Sequence, residues 1–287
     1  MTAATIHDAT PCELGEGPLW HPERGQLFWF DILGRRLHSR TDAGPEAHDF
    51  PEAVSAAGWI DRERLLIASE SALFAWTLAT GARETIAPLE ADTPATRSND
   101  GRADPWGGFW IGTMGKRAEA GAGAIWRWYR GELRRLYTVT IPNAICFRPD
   151  RSAAHFADTP TGRVMRVALD AHGWPAADPA VFLDLRAEGL NPDGAVIDAE
   201  GLLWLAEWGA GRVSAYDAQG RRRHVVETPG AAQTTCPAFG GPGLGTLFVT
   251  TARERLTPEA LAAAPASGNT FAAPAPTRGL PEWRVLL

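Results

Sequence analysis

Four oxygen-bearing side chains recur at comparable places along the 287-residue chain: Glu16, Asn99, Asn143 and Asp193. Each sits among turn-forming residues, in Leu14-Gly15-Glu16-Gly17-Pro18, Asn99-Asp100-Gly101, Pro142-Asn143 and Leu190-Asn191-Pro192-Asp193-Gly194. The last runs straight into the apolar Ala195-Val196-Ile197, which puts the Asp193 carboxylate at a loop-to-strand junction within reach of solvent. Taken singly, each reads as a turn former. Taken together, carboxylates and carboxamides with no His or Cys candidate beside them are hard donors. Their chemistry is that of a divalent cation such as calcium, magnesium or manganese, with zinc allowed. A second set, Asp31, Glu70, Asp158 and Glu207, follows one strand later and reads as groups that fix the backbone or orient the first set.

The elements that must position these residues repeat. Gly17 to Trp20 turns at His21 to Gly25 into Gln26 to Asp31, with a third strand over Arg36 to Arg40. The layout returns at Ala57 to Ile60 with Arg64 to Ala68, at Asn99 to Gly101 with Phe109 to Gly112, and at Ala144 to Phe147 with Ala154 to Asp158. It returns again at Ala195 to Asp198 with Leu202 to Glu207, and near Thr235 to Phe239 with Thr246 to Thr250. A spacing of roughly 40 to 50 residues is the period of a four-stranded propeller blade. A two-layer sandwich turns at shorter, less uniform intervals. The expected fold is therefore all-β, a single six-bladed β-propeller domain over residues 1–287, with one helical turn near Pro258 to Ala264. Residues just before each innermost strand then converge on one rim of the channel: Glu16, Ser55 or Ala56, Asn99, Asn143, Asp193 and Thr235. The tryptophans are expected to pack between blades, with Trp208 able to line a sugar pocket.

Composition excludes other classes. With 28 Lys and Arg against 34 Asp and Glu, the chain carries a formal charge of −6 and no clustered basic patch for nucleic acid. The N-terminal residues show no basic segment followed by an apolar core, and no stretch approaches a membrane span, so the expectation is a soluble, unexported, cytoplasmic protein without nucleic-acid or membrane partners. Cys12, Cys146 and Cys236 are odd in number and far apart, which suits unpaired buried thiols in a reducing compartment.

Gly15-Glu16-Gly17-Pro18, Arg97-Ser98-Asn99-Asp100-Gly101, Gly112-Thr113-Met114, Pro142-Asn143 and Pro192-Asp193-Gly194 resemble, in order, the motifs of the gluconolactonase, regucalcin and senescence marker protein family. The match runs nearly the whole chain, to Phe239-Gly240-Gly241 and Val249-Thr250-Thr251-Ala252-Arg253. It implies a propeller hydrolase that opens a pentono- or hexono-1,4/1,5-lactone with one divalent cation, calcium first and zinc, manganese, magnesium or iron as alternatives. Glu16, Asn143 and Asp193 become the metal ligands, Arg97 and Asn99 the substrate contacts, and Asp193 also the general base. An acidic substrate contact that some members carry after Gly-Thr-Met has no counterpart here, where Gly115-Lys116-Arg117 follows. Lys116 and Arg117 read as a solvated charged loop or as pocket residues, and Ala118 to Ala124 as a flexible lid. A related esterase or phosphotriesterase and a non-catalytic calcium-binding propeller remain as other readings.

Overall fold

The computed structural model describes residues 2–41 and 43–287. These residues form six sheets in which, the N-terminal strands apart, strands adjacent in the chain lie side by side and antiparallel. The innermost strands are Gly15–His21, Val54–Asp61, Thr96–Ala103, Pro142–Phe147, Asn191–Ile197 and Thr234–Gly240. Each packs against the innermost strand of the next blade, and the sixth packs against the first, which closes a ring. The fold is a six-bladed β-propeller. The one α-helix among the described residues is Pro258–Ala263, capped by the Thr257 hydroxyl accepting from the Ala260 amide at 3.2 Å.

Alternation along the strands explains the ring. Leu65 and Ile67 point into the core shared with blade 1, while Leu66 and Ala68 point into the core shared with blade 3. Blades 3 and 4 share Trp110 and Ile145, blades 4 and 5 share Cys146 and Leu203, and blades 5 and 6 share Trp204 and Phe239. Leu27 and Trp29 meet Phe248 between blades 1 and 6. The second strand of each blade thus carries apolar side chains on both faces, and the tryptophans fill the seams as expected. The three cysteines are free and buried.

Two features of the termini complete the ring. Thr5–Asp8 pairs antiparallel with Thr270–Pro274 and supplies the outermost strand of blade 6, while Thr2–Ala3 pairs parallel with Arg222–Glu227 of blade 5. At the other end of the chain, a strap without regular structure crosses the rim opposite the starts of the inner strands. Thr277 donates to Asp198 at 2.6 Å, the Gly279 amide to Leu244, Arg284 to the Ile60 carbonyl, and the Leu286 amide to Gly107. From this strap Glu282 reaches the buried Arg102, whose guanidinium also donates to the Ile145 and Ala195 carbonyls across the channel at 3.2 Å each.

His155, in the strand Ala153–Asp158, is 2% exposed, sits edge-on to Phe182 and leaves Nδ1 without a partner. Burial, with Arg166 and Arg148 nearby, pushes its pKa down to about 3. The unfolded chain takes up this proton near pH 6.5, so the stability preserved by the neutral ring is complete above that pH and drains as pH falls toward 3. A His155→Phe variant should flatten the melting temperature against pH over this window, by roughly 2–4 °C per pH unit relative to the parent. Parallel melting curves for the two proteins would contradict that assignment.

Candidate metal and substrate site

Each inner strand carries one extra residue against its neighbour near its start: at Glu16 to Leu19, Val54 to Ala56, Ser98 to Gly101, Asn143 to Cys146, Pro192 to Ala195 and Thr234 to Pro237. A bulge of this kind bends the strand and re-aims a side chain. The expectation of turns at these places is therefore corrected. Asp193, Asn99 and Asn143 lie inside strands, and the Gly, Pro and Asn residues around them serve bulges. Gly17 and Ala144, which directly follow Glu16 and Asn143, are left-handed with φ of 53° and 55°. A Cβ on Gly17 would meet the Ser55 carbonyl oxygen at 2.3 Å, whereas Ala144 carries its Cβ in that strained region.

The bulges deliver Glu16, Arg97, Asn99, Asn143 and Asp193 to one cavity of about 430 Å³ at the channel mouth. Arg97 Nη1 donates to Asn99 Oδ1 at 2.8 Å, and Asn99 Nδ2 donates to Asn143 Oδ1 at 3.1 Å and to the Pro142 carbonyl at 3.0 Å. Asn143 Nδ2 donates to the Thr159 hydroxyl, which in turn donates to the Pro192 carbonyl, both at 2.8 Å. One continuous hydrogen-bond chain therefore links the blade 3 residues to the strand bearing Asp193. Ser55 and Thr235, also expected on this rim, are spent on structure: Ser55 donates to the Ser98 hydroxyl and Thr235 to the Gly15 carbonyl.

The carboxylates are poorly satisfied. Glu16 Oε2 accepts from the Gly17 amide at 3.0 Å, and the Asp193 carboxyl is approached by the Gly194 amide and by Glu16. Asp100, which reads in the sequence as part of a turn, is buried beneath them and accepts from the Ile145 amide at 2.7 Å. Burial raises the pKa of all three, reinforced for Glu16 by Asp100 and for Asp193 by Glu16 and Asp100, and Asp100 reaches about 6. Arg97 is itself buried and committed to Asn99 and the Ser98 carbonyl. Buried carboxylates with so few donors demand either protons or a cation. Two carboxylates and an amide oxygen with a free lone pair fit a hard divalent ion, and Glu16, Asp193 and Asn143 are the residues that would hold it.

In the second acidic set, Asp31, Asp158 and Glu70 bond backbone amides, whereas Glu207 bonds side chains. Asp31 accepts from the Glu13, Leu14 and Gly34 amides, each at 3.0 Å, and Asp158 from the Ile141 amide at 2.9 Å. Glu207 is held by Tyr216 and Arg212, and Glu70 accepts from the Ala53 amide. Cys12, Asp31 and His38 bring potential ligand atoms within 4.8 Å of one another in blade 1, but none of the three borders the mouth cavity. There the Asp31 carboxylate is already taken by three amides, and burial with Asp31 alongside pushes the Cys12 thiol up to about 12. Trp208 and Lys116 line the mouth, whereas the exposed Arg117 turns to Glu119 at 2.9 Å. Of the segment read as a lid, Gly123 and Ala124 are already in the strand Gly123–Tyr129. Thr159, Gln233, Glu254 and Arg255 also line the cavity and carry no motif that marks them in the sequence.

Residues 14–253 match the family described as the SMP-30/Gluconolactonase/LRE-like region. The chain belongs to this family. A relative in Rhizobium meliloti, provisionally named a sugar lactone lactonase, is 42% identical over 275 residues, 94% of this chain and 92% of its own. The pentonolactonase XacC of Haloferax volcanii is 36% identical over 256 residues, covering 88% of this chain and 86% of its own. Among solved structures, the calcium-binding protein regucalcin of Agrobacterium tumefaciens superposes with a TM-score of 0.96 at 42% identity, covering 100% of both chains. Membership in the family confirms the resemblance carried by the five motifs. Among the described residues no helix is long and apolar enough to cross a membrane.

Proposed function

We propose that this chain is a lactone hydrolase that uses one divalent cation to open an aldonolactone, a pentono- or hexono-1,4/1,5-lactone, to the aldonic acid, acting as a single domain over residues 1–287. The observation that carries this reading is the meeting of Glu16, Asn143 and Asp193 from three blades beside Arg97 and Asn99 in one cavity, in a family whose relatives bear lactonase names. Glu16, Asn143 and Asp193 are the proposed ligands, and an all-oxygen donor set favours calcium over zinc. The bound cation would polarise the lactone carbonyl and make a neighbouring water easier to deprotonate.

The rest of the chemistry falls to the chain. With the site's negative charge compensated, Asp193 is ionised and takes a proton from the attacking water, whose oxygen bonds to the carbonyl carbon. The ring C–O bond then breaks, and the departing alkoxide takes the proton from Asp193, leaving the hydroxy acid. Arg97 and Asn99 donate hydrogen bonds to sugar hydroxyls or to the oxygen on which charge develops. The part-buried relay through Asn143 and Thr159 holds these donors and ligands in register.

The direct test is acid release by metal-stripped protein from a panel of aldonolactones, an aryl ester and a phosphotriester, each cation being restored separately and spontaneous hydrolysis subtracted. Metal-dependent opening of a sugar lactone is expected. Turnover of the ester or phosphotriester in its place, or tight cation binding with no turnover, would overturn the reading. Thr159→Val leaves both relay partners unsatisfied and is expected to weaken cation affinity about 10- to 100-fold, with Thr159→Ser restoring it. Equal affinity in calorimetric titrations of Thr159→Val and parent would show that the relay does not position the ligands.

A further inference from the structure

We infer that the lactone this chain hydrolyses is uncharged and deoxygenated at the end remote from its carbonyl, as in a 6-deoxyhexonolactone; the inference rests on the lactonase reading above. The cavity has two unlike zones. Its floor is polar, made by Glu16, Arg97, Asn99, Asn143 and Asp193. Its collar carries Leu33, Met114, Ile141, Pro160 and Trp208, contributed by blades 1, 3, 4 and 5. Leu33 is 42% exposed, a large apolar side chain left in water at the mouth although the cores beneath it are filled. Trp208 is partly buried and packs against the blade 1 core, so indole and leucine line the mouth from neighbouring parts of the ring.

Each cation on the collar has a carboxylate beside it. Lys116 Nζ lies 2.6 Å from Glu70 Oε2, and Arg255 lies 3.3 Å from Glu254. Of the cavity's cations, that leaves Arg97, which belongs to the floor and is bonded to Asn99. A sulfonate, carboxylate or phosphate on the outer end of a substrate would have to compete with Glu70 or Glu254 for Lys116 or Arg255. Gln233 keeps a buried Oε1 without a partner and can accept one hydroxyl proton. Asn191 also borders the cavity, but a hydroxymethyl group packed on Leu33, Met114, Ile141, Pro160 or Trp208 loses water without replacement, whereas a methyl group in the same place covers exposed carbon. The zones therefore sort a substrate by its two ends, oxygen-rich at the floor and oxygen-poor at the collar.

The experiment compares kcat/KM of the cation-loaded full chain for a 6-deoxyhexonolactone, the hexonolactone of the same ring stereochemistry, and its counterpart with a carboxylate at C6. The deoxy substrate is expected to exceed the hydroxymethyl one by about 10- to 100-fold, the discrimination that an apolar surface exerts on one hydroxyl. The carboxylate substrate should be the poorest. In Leu33→Asn the deoxy preference should shrink to under about threefold, because the new amide can bond the hydroxyl that leucine rejects. Lactone hydrolysis with the hydroxymethyl or carboxylate substrate equal or preferred overturns this inference alone. An unchanged preference in Leu33→Asn removes the collar as its cause and overturns it too. Hydrolysis of none of the three, or of any other lactone, overturns the lactonase reading and this inference with it.

Discussion

Asp193→Asn should lower kcat for lactone opening by at least about 10³-fold while the metal-free protein melts no lower than the parent. The loss has two sources. A positioned general base contributes about 10²–10⁴-fold, and the same carboxylate is a proposed cation ligand, so its replacement weakens both functions together. The stability side follows from burial: Asp193 is 5% exposed, and Glu16 and Asp100 both raise its pKa. An amide of the same shape removes a site that is costly to ionise when no cation is present, and leaves no cavity. Function and stability at this position thus oppose each other, as at other sites that hold like charges together. Asp193→Ala should abolish hydrolysis as well and still fold. Initial rates, calorimetric cation titration and melting curves on one preparation check all three expectations. Activity within a few-fold of the parent in either variant would remove Asp193 from the mechanism.

Deleting residues 2–8 should lower the melting temperature by more than about 10 °C or leave the protein insoluble. Without Thr5–Asp8, the strand Thr270–Pro274 becomes the open edge of blade 6, with unpaired amides and carbonyls available to another chain. The buried Asp8, which takes Arg40 at 2.7 Å, and the buried Ala4 of the core between blades 5 and 6 are lost with it. Amide exchange offers a finer reading than melting. Protection should fall first at residues 270–274 and then along blade 6, while blades 2 to 4 keep theirs longest. Uniform loss of protection would mean that the terminal strand does not act as the clasp of the ring.

How much of this was legible in the sequence follows from the range of the interactions. The blade repeat could be read because each strand pair is local: Leu65 and its partner Trp59 are a few residues apart, and the turn between them is written in Asp61-Arg62. The clasp could not, because Thr5 pairs with Ala272 and a four-residue strand without apolar alternation gives no signal of its partner. The strap is invisible for the same reason, having no regular structure and contacts drawn from four blades. At the site, the residue types at Glu16, Asn99, Asn143 and Asp193 pointed to one rim, where the cavity gathers them. The local conformation was misread, since Gly and Pro mark bulges as well as turns. Asp100 was passed over because Asn-Asp-Gly looks like ordinary turn chemistry, and only burial exposes its electrostatic weight on Glu16 and Asp193. Thr159 carries no motif at all and acquires a role only through two hydrogen bonds, one to Asn143 in its own blade and one to Pro192 in the next.

The strap across the far rim has a kinetic consequence. Between Arg102, the channel wall and the segment Leu280 to Trp283 there remains a void of about 20 Å³, room for a single water. Among the described residues the far rim thus leaves too little room for a sugar to pass, and the wide mouth is the way in and out. A sugar acid formed at the floor must retrace the path by which its parent ring entered, and while it lingers no second ring can descend. Exit of the acid therefore competes with entry of the next lactone, and the acid should inhibit competitively, at concentrations set by how firmly the same floor groups hold a free carboxylate.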